Sequence, residues 1–333
     1  MPHRVAAQLP LTASGGIATV GDQGARGRLG SGPRRGRIQL DPEPAPRSGS
    51  RLSMRSMARN SPEAQWRQAP SAARAGLPRG WLRLAADLHE GLLRRWVGSL
   101  APGSLVLKTD LFEEALAEGA PFSRIRAFGW IAAGMDIGWQ TAAQARRMLA
   151  RQGEAQPRAL VADARRIALR DESFDAVFSN STLDHFATRR ELDAGLNELG
   201  RVLRPGGRLL LTLDNPGNPV VWLRNALPRR LTDGLRITRY FVGKTYGLRR
   251  AQAKLRRMGF EILAGGAMLH APRYVAIRLL RWAEAGGMEA LESALVRGVK
   301  AMEALGRLPT ARLTGHFIWI EARKARPAER MGE

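Results

Sequence analysis

The chain is 333 residues long, 44% hydrophobic, free of cysteine, and carries a formal net charge of +23. That length and apolar content suffice for a buried core, while the missing thiols exclude disulfides, thiolate metal sites and a cysteine nucleophile. No uninterrupted apolar run approaches the roughly 18–20 residues of a membrane-spanning helix, and no compact apolar leader is visible, so a cytoplasmic protein is expected.

The charge is uneven. Residues 1–78 carry 12 basic and 4 acidic side chains, residues 79–219 carry 19 and 17, and residues 220–282 carry 14 and 2. Residues 1–78 are also rich in Gly, Ser, Pro, Ala and Arg without sustained periodicity. Such a stretch buries too little apolar surface to offset its chain entropy, and a disordered basic tail is expected there, with Met54 or Met57 as an alternative start.

In chain order, Trp81–Leu100 places Leu84, Leu88, Leu92 and Trp96 on one helical face, and Pro102-Gly103 ends it. Leu105–Leu107 is a first strand, running into Lys108-Thr109-Asp110-Leu111-Phe112-Glu113-Glu114. Ile131–Asp136 is a second, ending in an acid, with a helix over Thr141–Leu149 after it. A third ends at Asp163. A fourth, Phe174–Ser179, opens into Asn180-Ser181-Thr182-Leu183-Asp184-His185-Phe186. Arg189–Leu203 has a helical period, Pro205-Gly206-Gly207 stops it, and Arg208–Leu213 is a fifth strand before Asp214-Asn215. Strands alternating with helices read as βαβ units of a parallel sheet. Ligands bind beyond the carboxyl ends of such strands, so Asp163, Asn180–His185 and Asp214-Asn215 are expected in one cleft.

Gly217–Arg257 reads as an insertion punctuated by Trp222, Tyr240, Phe241 and Tyr246. A helix over Arg249–Met258, a strand at Glu261–Leu263, a basic amphipathic stretch over Pro272–Trp282 and a last strand within Thr314–Ala322 follow, then a tail over 326–333. The five histidines are scattered without ligand spacing, so no metal site is expected.

The acid closing the third strand, the run Asp171-Glu172-Ser173-Phe174-Asp175-Ala176-Val177, the helix after it and Leu203-Arg204-Pro205-Gly206-Gly207-Arg208-Leu209-Leu210-Leu211 together resemble the class I S-adenosylmethionine-dependent methyltransferases. The resemblance runs from roughly Trp81 to Ala325 and is greatest to the small-molecule group that includes quinone and sterol methyltransferases. It implies an α/β, Rossmann-like, seven-stranded mixed sheet with helices on both faces and the last strand antiparallel. That methyltransferase domain would occupy 79–325 and carry a helical lid at about 217–257.

The resemblance also implies S-adenosylmethionine as cofactor. Asp136 would hold the ribose hydroxyls, Asp163 with Ala164 beside it the adenine amino group, and Asn180 and His185 would face the methyl group and substrate, His185 as a candidate general base. The first motif departs from the family. Lys108 stands at its acidic position and Asp110 at its first glycine position, where a residue other than glycine takes the required torsions less easily. Lys108, Thr109 and Asp110 are expected to contact the cofactor there, with Asp110, Glu113 or Glu114 facing its amino group. The expected activity is methyl transfer to a small-molecule or lipid acceptor, anionic or presented at an acidic membrane. RNA methylation and a scaffold that has lost cofactor binding are the alternatives.

Overall fold

A computed structural model describes residues 77–116, 121–154, 156–227 and 242–326. The expected N-terminal tail, apart from its last two residues, lies outside the described residues, as do the end of the C-terminal tail and 228–241 of the expected lid.

The sheet has seven strands in the order β3-β2-β1-β4-β5-β7-β6. They are β1 Leu105–Thr109, β2 Ile131–Asp136, β3 Ala159–Val161, β4 Phe174–Asn180, β5 Leu203–Asp214, β6 Phe260–Met268 and β7 Phe317–Lys324. The first five pair in parallel, and β7 runs antiparallel to both β5 and β6. The core strands are short apolar runs because layers cover them: Val106, Leu107, Ala176, Val177, Phe178 and Leu210 have no exposed surface.

The helices are α1 Arg79–Leu93, α2 Phe112–Leu116, α3 Pro121–Ala127, α4 Trp139–Arg151, α5 Arg189–Val202, α6 Pro219–Ala226, α7 Leu248–Arg257, α8 Arg273–Ala285, α9 Glu289–Met302 and α10 Ala311–Thr314. The first helix is shorter than its apolar period predicts. It tightens into a 3-10 turn at Arg94–Trp96, which seats Trp96 in the core. Helix α5 starts at a capping box in which Thr188 and Glu191 satisfy each other's backbone N–H groups.

The segment expected only to stop α5 does more. Strand β5 begins at Leu203, opposite Phe174, and then jumps register so that Ala176 meets Arg208. The excursion between them turns at Gly206, whose φ is 78°. Asp175 braces this bulge, as its carboxylate contacts Arg204 and accepts the Leu105 N–H at 2.8 Å.

The expected lid range contains a helix of the sheet layer. Helix α7 buries Leu248, Ala251 and Leu255, and it lies so close over β6 that a Cβ on Gly265 would stand 2.8 Å from Gln252 and 3.3 Å from Leu248. Tyr246 is buried as well, and its hydroxyl donates to Asp193 of α5 at 3.0 Å.

Candidate functional site

A cavity of about 230 Å³ opens at the carboxyl ends of the first four strands. Asp110 lines it from the turn after β1, Asp136 and Ile137 from the end of β2, and Asp163, Ala164 and Arg165 from the turn after β3. Thr182, His185 and Phe186 follow from the loop after β4, and Glu191 from the first turn of α5. Each strand end thus contributes at least one wall, as the βαβ order requires.

The turn after β1 shows how the first motif works without glycine. Asp110 adopts φ 79°, the left-handed conformation in which Asp is tolerated far better than bulky residues. Its own carboxylate stabilises that conformation by accepting the Phe112 N–H at 2.6 Å. The next residue, Leu111, is fully buried and packs on Gly134 of β2, where an added Cβ would stand 2.4 Å from the leucine. Glycine's lack of a side chain is therefore used one strand away, beneath the turn instead of within it.

Lys108 does not face the cavity, contrary to the expectation that it contacts a cofactor. Its side chain has no exposed surface, and its ammonium donates to the Glu114 carboxylate at 2.9 Å and to the Asp110 carbonyl at 2.5 Å. Glu113, 3.8 Å from the same ammonium, lies 3.2 Å from Nδ1 of His89 on α1. Both glutamates are thus engaged under the turn, and Asp110 alone of the three acids reaches the cavity. Burial opposes the Lys108 charge, but the two glutamates more than offset it and raise its pKa. Burial also works against Glu113, yet His89 and Lys108 hold its carboxyl down to about 2.

Thr109 is buried too. Its hydroxyl donates to Ser179 at 3.0 Å and lies 2.8 Å from the hydroxyl of Thr182, so it supports a lining residue without lining the cavity. Asn180 is likewise turned away, because its amide oxygen accepts the Thr212 hydroxyl of β5 at 3.0 Å. Lys108, Thr109 and Asn180 are framework by this geometry.

Asp136, Asp163 and Ala164 stand where the sequence places them. The Asp136 oxygens accept the Gly138 N–H at 2.7 Å and the Leu111 N–H at 3.1 Å. Each carboxylate oxygen retains acceptor capacity for a ligand donor. Burial pushes the Asp136 pKa up. Burial likewise, and then the charge of Asp136, push Asp110 up to about 8 against the pull of Lys108. Asp163 is gripped by Arg165, which reaches Glu191 at 2.7 Å and lies over the Phe186 ring at 5.3 Å. In this rim Phe186 belongs to the loop expected after the fourth strand, whereas Arg165 and Glu191 escaped sequence reasoning. Their only signals were the two-residue spacing of Asp163 and Arg165 and the acid in the first turn of a helix.

His185 lines the cavity from the 3-10 turn Leu183–His185. Behind it, the fully buried Asp184 accepts the Ser181 hydroxyl and the Asp214 N–H, both at 2.8 Å, and its other oxygen lies 3.9 Å from Nε2 of His185. Asp214 and Asn215, expected in the same cleft, face another way. Asp214 binds Arg224 of α6 at 2.6 Å, and Asn215 donates to the carbonyls of Arg312 and Gly315. Among the described residues no cluster of three potential metal ligands occurs.

The strand order and the antiparallel β7 are those of the class I S-adenosylmethionine-dependent methyltransferase fold. Residues 114–211 match the family model described as a methyltransferase domain. Among solved structures, phosphoethanolamine N-methyltransferase 2 of Haemonchus contortus, in complex with S-adenosyl-L-methionine, superposes with a TM-score of 0.51 at 19% identity. The superposition covers 83% of this chain and 60% of that one. Curated relatives match over short stretches only. A probable tRNA methyltransferase 9B of Homo sapiens is 40% identical over 53 residues, 16% of this chain and 12% of that protein. The tRNA (carboxymethyluridine(34)-5-O)-methyltransferase ALKBH8 of Mus musculus is 45% identical over 58 residues, 17% of this chain and 9% of that protein.

Proposed function

We propose that this chain is an active methyltransferase that binds S-adenosylmethionine in the cavity at the ends of β1–β4 and methylates a small-molecule acceptor. The observation that carries the reading is the turn after β1. It keeps the left-handed backbone at Asp110 and presents a carboxylate beside Asp136, so the altered motif retains the shape of a ligand site instead of collapsing into it.

The residues fit the cofactor's chemistry. Asp136 offers acceptor lone pairs to a ribose diol, and Asp163 with Ala164 borders the place for an adenine edge. Asp110 offers a carboxyl group that the cationic amino-acid end would draw into its ionised form, replacing backbone contacts that glycine would have allowed. When bound, the cofactor supplies an electrophilic methyl group on a sulfonium. The chain's own part is alignment and water exclusion: Thr182, His185 and Phe186 wall the side next to β4, where an acceptor would approach. His185 is the imidazole on that wall and the candidate general base toward an acceptor.

Calorimetric titration with S-adenosylmethionine tests the reading. A buried diol left without its acceptor costs on the order of 1–3 kcal/mol, so Asp136→Ala should weaken binding by roughly tenfold or more. Absence of binding by the parent would leave the scaffold reading in its place.

The local identity to tRNA methyltransferases favours a second reading, with RNA as acceptor. That similarity spans too little of those proteins to carry their acceptor specificity across. Radiolabelled methyl groups recovered in a ribonuclease-sensitive fraction, and not in small organic-soluble products, would select it.

A further inference from the structure

Helices α6 and α8 and the short α10 are tied together behind the loop that carries His185. Asp214 binds Arg224 of α6 and lies 3.9 Å from His316, and the His316 ring packs edge-on against Tyr274 of α8 at 6.1 Å. Asn218, the N-cap of α6, donates to the Thr314 carbonyl of α10 at 2.9 Å. This knot ties the three elements to the end of β5, where the Asp214 N–H bonds Asp184 beside His185.

What they turn outward is apolar and aromatic. Helix α6 exposes Val220, Trp222 and Leu223, and α8 exposes Val275, Leu279 and Trp282, spaced by four and three residues along one helical face. Trp222 is 62% exposed and Trp282 60%, and Leu313 of α10 is exposed beside them in sequence to Arg312. Single exposed apolar residues need no explanation, but several on adjoining helices mark an interaction surface. The charges interspersed with them have one sign. Arg278 and Arg312 are exposed, α6 and α10 contain no acid, and the only acid of α8, Glu284, is paired with Arg79 at 2.9 Å.

We propose that this face docks the protein on an anionic lipid bilayer, with Trp222 and Trp282 entering the interface and Arg278 and Arg312 meeting lipid phosphates. Exposed apolar side chains, amphipathic tryptophans and flanking arginines, with the one acid of α8 already paired, are the composition of an interfacial helix surface. Among the described residues no helix is long and apolar enough to cross a membrane. The inference goes beyond the methyltransferase reading and does not need it, since docking uses none of the cavity residues.

The experiment is flotation of the full chain with vesicles containing about one-third phosphatidylglycerol, against neutral phosphatidylcholine vesicles, at low and high salt and without cofactor. The parent should float with anionic vesicles and be released by salt, because such attraction is screened within about a Debye length. Trp222→Ser with Trp282→Ser should lose at least tenfold in partition. Arg278→Gln with Arg312→Gln should lose roughly thirtyfold, the equivalent of about 1 kcal/mol per arginine. All four positions are exposed, so thermal midpoints and cofactor titrations of the variants should match the parent, which separates loss of docking from loss of fold. No flotation of the parent at low salt overturns the proposal, as does undiminished flotation of both variants. RNA retention that the variants lose, without vesicle binding by the parent, would reassign the surface to nucleic acid.

Discussion

At Asp110 one side chain serves backbone geometry and electrostatics together, and the two demands conflict. The left-handed turn tolerates Asp, yet the carboxylate is held in a half-buried site beside Asp136. Above the ordinary carboxylate pKa the unfolded chain gives up a proton that folded Asp110 keeps until about pH 8. Ionisation therefore favours unfolding across that window, and the residue's contribution to stability falls as pH rises from about 4 to 8. Asp110→Asn keeps the preference for a left-handed turn and removes the titration. Its melting temperature at pH 8 should exceed the parent's, by roughly 2–4 °C for each kcal/mol recovered. Its affinity for S-adenosylmethionine should drop, because the cationic end of the ligand loses its counter-charge. A variant no more stable than the parent at pH 8 would show that Asp110 is ionised without cost.

At the scale of elements, the turn after β1 and helix α1 are fastened by a buried chain of polar side chains running His89, Glu113, Lys108, Glu114. Breaking a buried pair by removing one partner typically costs about 3–5 kcal/mol, whereas replacing both by apolar groups is often neutral. Lys108→Met should therefore lower the urea midpoint severely, and Lys108→Met with Glu114→Leu should recover most of the loss. Failure of the double variant to recover would mean that Glu114 is needed for its second role, accepting the Phe122 N–H at 3.1 Å. None of this was legible in the sequence, where Lys108 reads only as a missing acid. Local patterning shows which strands and helices form. It does not show that a lysine six residues from a glutamate will be sealed beneath a turn. Asp136 and Asp163 were legible because a strand's end is a topological position, and topology follows from the alternation of elements. Asn180 sits at a strand end as well and faces Thr212, because which way a side chain leaves the end of a strand depends on its neighbours across the sheet.

For the molecule as a whole, the alternation of parallel strands and helices follows from the sequence pattern, and the seven-stranded sheet with its antiparallel last strand is what the family resemblance implies, while α9 and α10 and the early start of β5 come from neither. Helix α9 has a single buried residue, Val299, and a chain reading weighted to apolar periodicity passes over it. The charge map gains meaning only in three dimensions. The basic excess of residues 220–282 divides between groups used inside, such as Arg224 on Asp214, and groups left at the surface, such as Arg278.

When the chain returns from its excursion after β5, Gly243 and Lys244 donate their N–H groups to the carbonyls of Asp184 and Phe186, each at 2.8 Å. Gly243 passes so close that a Cβ would lie 1.9 Å from the Phe186 oxygen. The loop carrying His185 is therefore stitched to a segment more than fifty residues later, and neither can swing away alone. The mouth of the cavity should behave as one opening unit, with a single rate for admitting and releasing ligand. In hydrogen exchange, the amides of Gly243 and Lys244 should exchange at a common rate, and both should slow together when the cavity is filled. Exchange of these two amides that ignores cavity occupancy would instead show that ligands enter by another wall.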